Sequence, residues 1–155
     1  MILGTKARYA VMALVDMAGR QTDMPVKLVD LSKQQDIPLP YLEQIFAQLR
    51  RAGVVQSIRG PKGGYALASD ASSIHISTVV EAVDESIKMT RCGHGGEKQQ
   101  GCLASNAQCM THHLWEGLGN HIYDYLNGIS LRDVCQKNNA GKVVAFDMKQ
   151  AGYDS

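Results

Sequence analysis

Residues 39–67, LPYLEQIFAQLRRAGVVQSIRGPKGGYAL, constrain the fold more than any other stretch. Leu42, Ile45, Phe46 and Leu49 follow the i, i+3, i+4, i+7 rule, so the segment predicts a helix with one inward face. Tyr41, Gln44, Gln48 and Arg51 form an outward stripe, with Glu43 and Arg50 beside it. Gly53 supplies the left-handed residue that commonly ends a helix. Val54, Val55 and Ile58 are β-prone, and GPKGG fits only a turn. A second strand follows, so the hairpin tip carries Arg59 and Lys62. A winged helix offers DNA this combination: a polar helix for the major groove and a basic wing for the backbone or minor groove. A solvated surface helix followed by an ordinary hairpin shares the local pattern, so the flanking sequence has to decide.

The preceding residues supply the rest of a helix-turn-helix. Thr5 to about Arg20 reads as a helix with Ala10, Ala13, Leu14 and Met17 on one face and Thr5 as its N-cap. Its first N–H groups, with Lys6, are placed to hold a phosphate, although a plain core helix has the same pattern. Lys27 to Gln35 gives a second helix with Leu28 and Leu31 inward. Residues 36–40 make the turn, and Pro40 suits a first helical turn, where its missing N–H costs nothing. Helix, turn, helix and hairpin in this order predict a mainly α fold with a small β-hairpin wing that binds double-stranded DNA. No nucleophile–base–acid set stands out, and GPKGGY lacks the Lys-Ser/Thr pair of a phosphate-binding loop. Neither an enzyme nor a small-molecule substrate is expected.

The charge is distributed accordingly. Residues 1–70 hold nine Lys/Arg against six Asp/Glu, and residues 71–155 hold seven against nine. A basic front and an acidic back suit a DNA-binding part followed by a sensing or dimerising part. Lys6, Arg8 and Asp16 interrupt the first twenty residues, so neither an export signal nor a membrane span is expected and the chain reads as cytoplasmic. Four cysteines in a reducing compartment favour metal or redox chemistry over disulfides.

After a linker or short strand at 71–77, Ser77 is expected to cap a helix to about Glu85. Thr90 to Gln108 is glycine-rich and lacks apolar periodicity, the signature of a long functional or disordered loop. A long helix should run from Met110 to about Asn127. Trp115, Leu118, Ile122, Tyr125 and Ile129 are spaced 3, 4, 3, 4, which suggests helix-to-helix dimer packing, with packing inside the chain as the other reading. Ser130 should cap a last short helix holding Cys135 as a small buried hydrophobe. Cys92, Cys102, Cys109 and His112 form C-x9-C-x6-C-x2-H. Cys109 and His112, three residues apart at a helix start, can address one centre, and three thiolates with an imidazole suit zinc or an iron–sulfur cluster. The wide spacing lacks the tight zinc knuckle. His94 and His113 are rival ligands, His113 lying about 100° further round the helix than His112.

RYAVMALVDMA, YLEQIF, SIRGPKGGYAL, AVDES with TRC, CMTHHLW and YLNGISLRDV occur in this order. From Lys6 to about Val134 the chain therefore resembles the IscR family, the dimeric winged-helix iron–sulfur cluster regulators of bacteria. The resemblance implies a homodimer with a 2Fe-2S cluster on each subunit, control of cluster-assembly genes, and a choice of DNA sites that depends on the cluster. It implies Cys92, Cys102, Cys109 and His112 as ligands, and Tyr41, Glu43, Gln44 and Arg59 as DNA-reading residues. Thr5, Lys6, Gln48, Arg51 and Lys62 complete the expected DNA surface. The implied division is a winged helix-turn-helix over 1–75, a cluster loop with dimerisation helices over 76–137, and a flexible tail over 138–155. The loop is longer than the family's C-x5-C-x5-C-x2-H, and Pro38 and Pro40 stand where serines are usual. A nitric-oxide or redox-responsive repressor of the same family and a zinc-stabilised regulator are the alternatives; a related nitric-oxide branch lacks the CxxH histidine that CMTH supplies.

Overall fold

A computed structural model describes residues 4–20, 23–83, 103 and 107–140, with side chains described to Gln136 in the last helix. The elements run α1 (Thr5–Gly19), α2 (Leu28–Gln35), α3 (Leu39–Arg51), β1 (Val55–Ile58), β2 (Gly64–Leu67), α4 (Ile76–Ala82), α5 (His112–Asn127) and α6 (Leu131–Ala140). The fold is the expected one, mainly helical with one antiparallel hairpin.

The apolar face of α3 organises the core. Leu42, Ile45, Phe46 and Leu49 are all 0% exposed. They share one cluster with Ala10, Ala13 and Leu14 of α1, Leu31 of α2, Val55 of β1, Val79 and Val80 of α4, and Leu131 of α6. Phe46 meets the Tyr65 ring edge-on at 5.0 Å. Removing a side chain of this size from water is worth roughly 1.5–3 kcal/mol, so the four residues fix the inner face of α3 and leave its polar face outward.

The exit from α3 is a Schellman motif. Gly53 has φ +74°, its N–H donates to Arg50 O at 3.1 Å, and Val54 N–H donates to Leu49 O at 2.9 Å. The chain enters the wing, where Val55 pairs with Leu67 and Ile58 with Gly64. Val26 lies along the other side of β2 and exchanges two 2.8 Å hydrogen bonds with Tyr65. Glycine is required next to this bridge, because a Cβ on Gly64 would stand 2.5 Å from Val26 O.

A corner ties the last two helices to the segment after the wing. Ile76 N–H donates to Ile129 O and Leu131 N–H to Ile74 O, both at 2.9 Å. Arg132 makes two bonds to the Asp70 carboxylate, at 2.9 and 3.0 Å. As expected, Ser130 caps α6, and it does so reciprocally: its hydroxyl accepts from Asp133 N–H at 3.2 Å, while its own N–H donates to Asp133 Oδ2 at 2.9 Å.

Local expectations shift in five places. Gly4, not Thr5, is the N-cap of α1, and Thr5 is its first residue. Ser77 does not cap α4. It is buried inside the helix, and its hydroxyl donates to Asn127 Oδ1 at 2.9 Å, a long-range use that no local pattern encodes. α4 ends at Ala82 and α5 begins at His112 rather than Met110. α6 continues to Ala140, past the expected start of the tail at 138. Among the described residues, no helix is long and apolar enough to cross a membrane.

Candidate functional site

The DNA-reading candidates gather on α3, the wing and the start of α1. Glu43, Gln44, Arg50 and Arg51 are exposed on α3, as are Arg59 and Lys62 at the hairpin tip. Leu39 and Pro40 occupy the first helical turn of α3, whose N-cap is Pro38. Thr5 is exposed and Lys6 half-buried at the start of α1.

Two members of the outward stripe are drawn inward. Tyr41 is half-buried and meets the Tyr9 ring edge-on at 5.8 Å, so α1 sets its orientation. Gln48 is also half-buried, which moves it off the solvated face expected for it. For Tyr41 the cause is tertiary, because α1 packs against α3 and brings the Tyr9 ring to it. Arg8 is an exposed cation that sequence reasoning left out, although it lies three residues after Thr5 and so on the same helix face. Arg20, by contrast, is taken up internally: it donates to Asp16 Oδ1 and to Gln34 Oε1, both at 2.8 Å.

The metal candidates belong to a later part of the chain. Cys92, Cys102 and His94 lie outside the described residues. Cys109 is half-buried in the segment entering α5, and His112 is the first residue of that helix. One hydrogen bond fixes the turn between them, from His112 N–H to Cys109 O at 3.0 Å. The structure separates the two neighbouring histidines sharply. The side chain of His112 is 3% exposed and that of His113 is 82% exposed. Glu116 Oε2 stands 3.7 Å from His112 Nε2 and 3.7 Å from His113 Nδ1, one helical turn on.

A thiol and a shielded imidazole presented from one turn are a soft and a borderline donor, the kinds that iron–sulfur and zinc centres accept. They fit half of a four-ligand set. Among the described residues, no group of three or more His, Cys, Asp or Glu converges as a metal site. Cys135, also free, is used differently: its thiol donates to Val15 O at 3.4 Å, and burial pushes its pKa up, which makes it a packing residue between α6 and α1.

Known proteins share both sequence and fold with the chain. The family model Rrf2, described as an iron-dependent transcriptional regulator, matches residues 3–137. An HTH-type transcriptional regulator IscR from Vibrio campbellii is 48% identical over 138 residues, which span 89% of this chain and 79% of that one. Among solved structures, T. potens IscR superposes with a TM-score of 0.71 at 28% identity, covering 96% of each chain. CymR, the global cysteine regulator of B. subtilis, superposes at 0.70 with 24% identity, covering 88% of this chain and 97% of that one, and shows the shared fold. The relatives are regulators rather than enzymes, and this chain is likewise a DNA-binding transcription regulator. It belongs to the Rrf2 family of iron-dependent transcriptional regulators.

Proposed function

We infer that the chain is an IscR-type regulator whose iron enters as a 2Fe-2S cluster held by Cys92, Cys102, Cys109 and His112. The observation that carries this reading is the turn before α5. There His112 is buried and His113 exposed, so of the two adjacent histidines only the one in C-x2-H register with Cys109 is packed inward. The cluster supplies a labile, redox-active charge whose presence reports cluster supply. The protein's part is to present two thiolates from the loop and a thiolate and imidazole from the helix start.

In this reading 1–75 reads DNA, and the loop and helices after it sense and dimerise. Glu43, Gln44 and Arg51 face the major groove with the half-buried Tyr41 and Gln48 at its edge, Arg59 and Lys62 follow the backbone or minor groove, and Thr5 and Lys6 hold a phosphate at the start of α1. Glu43 acts as a filter. A carboxylate accepts from cytosine N4 but repels phosphate and purine acceptors, so it excludes wrong sites as well as reading right ones. A second copy of the chain covers the apolar face of α5. The work of such a protein is done in the cytoplasm, on the genes of cluster assembly.

The test is anaerobic purification with iron and acid-labile sulfide assays, a visible spectrum, and DNA binding with and without the cluster. A red-brown protein with equal iron and sulfide, about two of each per chain, is the expected result. A colourless protein holding one zinc overturns the sensing mechanism and leaves the DNA-binding fold standing.

A further inference from the structure

Threonine at a helix N-cap ordinarily turns its hydroxyl oxygen to accept from a backbone N–H of the first turn. Thr111 holds the N-cap position of α5 and makes no such bond. Its hydroxyl oxygen lies instead 3.2 Å from Trp115 Nε1 and 3.5 Å from Cys109 Sγ. The direction of the first contact is forced. An indole N–H can only donate, so Thr111 Oγ1 accepts from Trp115, and its one hydroxyl hydrogen remains to be donated. The sulfur of Cys109 is an acceptor within reach. The main chain holds the same pair together, because Trp115 N–H donates to Thr111 O at 3.3 Å.

We propose that Thr111 is a positioning residue for Cys109: oriented by Trp115, its hydroxyl donates a hydrogen bond to the thiolate that ligates the cluster. The proposal rests on the reading above that Cys109 is a cluster ligand, and adds what tunes it. A hydrogen bond to a ligating sulfur draws charge from the thiolate, stabilises the reduced state and raises the reduction potential. The residue that should cap α5 is thereby spent on the metal centre.

The experiment uses full-length protein reconstituted anaerobically with iron and sulfide, comparing wild type with Thr111→Val, Thr111→Ser and Trp115→Phe. Midpoint potential is measured by dye-mediated titration, alongside the sulfur-to-iron charge-transfer band and the helix content. Thr111→Val is expected to lower the potential and shift the band, and Thr111→Ser to restore both. Trp115→Phe should shift them in the same direction by less, because the hydroxyl stays but loses its orientation. The iron-free protein gives an independent readout: Trp115 is the chain's only tryptophan, and its emission should change in Thr111→Val but not in Thr111→Ser. If all three variants load and share the wild-type potential, the proposal is overturned and the cluster reading survives. If the wild type takes up no iron and sulfide, the cluster reading falls and this proposal falls with it.

Discussion

Helices α3 and α5 carry the same kind of apolar periodicity and meet opposite fates. In α3 the four periodic residues, Leu42, Ile45, Phe46 and Leu49, are all 0% exposed. In α5 only His112 is buried, while Trp115, Leu118 and Tyr125 of the periodic seam are 42%, 40% and 46% exposed. Leu114 is exposed beside them. A 3-4 spacing says that one side of a helix is apolar. It does not say whether the same chain covers that side. The contrast teaches that, among the described residues, α3 is satisfied within the chain, whereas α5 keeps an apolar face that the second copy proposed above would cover.

The comparison breaks first at Phe46. If α3 is held by its core face, Phe46→Ala should cost about 3–5 kcal/mol in urea unfolding, because the ring is fully enclosed and its removal leaves a cavity. A loss below roughly 1 kcal/mol would mean that α3 is not anchored as described. The companion change on α5, Leu118→Glu, should leave helix content intact and weaken self-association. Burying a leucine is worth about 1.5–3 kcal/mol, so a dimer should dissociate at least roughly tenfold more readily in sedimentation equilibrium. An unchanged association constant would remove α5 as the dimer helix.

The wing offers a smaller and cleaner effect. Arg59 is exposed at the hairpin, so Arg59→Ala should leave unfolding unchanged, weaken DNA binding across sequences and reduce the slope of log K against log salt by about one. An unchanged salt slope would take Arg59 off the DNA.

What the sequence disclosed divides along the same lines. The inner face of α3, Gly53 at its end, the wing and the Ser130 cap were all legible, because each rests on neighbours within one turn or one hairpin. The adjacency of Cys109 and His112 was legible for the same reason. Ser77 was misread because its partner, Asn127, lies fifty positions away. The half-burial of Tyr41 is not legible in the outward stripe, because helical periodicity carries no information about the Tyr9 ring on α1. Thr111 went unnoticed since its sequence pattern is that of an ordinary cap, and only the position of the indole nitrogen shows that the hydroxyl is turned elsewhere.

The smallest effect separates two contributions at the corner where the segment after the wing meets α6. The Asp70 carboxyl is lowered from the ordinary 3.8 to about 2, first by the Ser72 hydroxyl, then by Ser72 N–H, and only after these by Arg132. The hydroxyl bond is 2.6 Å and the main-chain bond 2.9 Å. The Arg132 pair is half in solvent and so screened, which limits its worth. Because the folded-state value is depressed, the stabilisation is complete above about pH 4, fades as the pH falls from there toward 2, and is absent below. Carbon-detected NMR titration should therefore find the Asp70 pKa raised more by Ser72→Ala than by Arg132→Ala. The reverse order would make the link from the wing's exit to α6 an ion pair first and a local turn second, and salt should then loosen it.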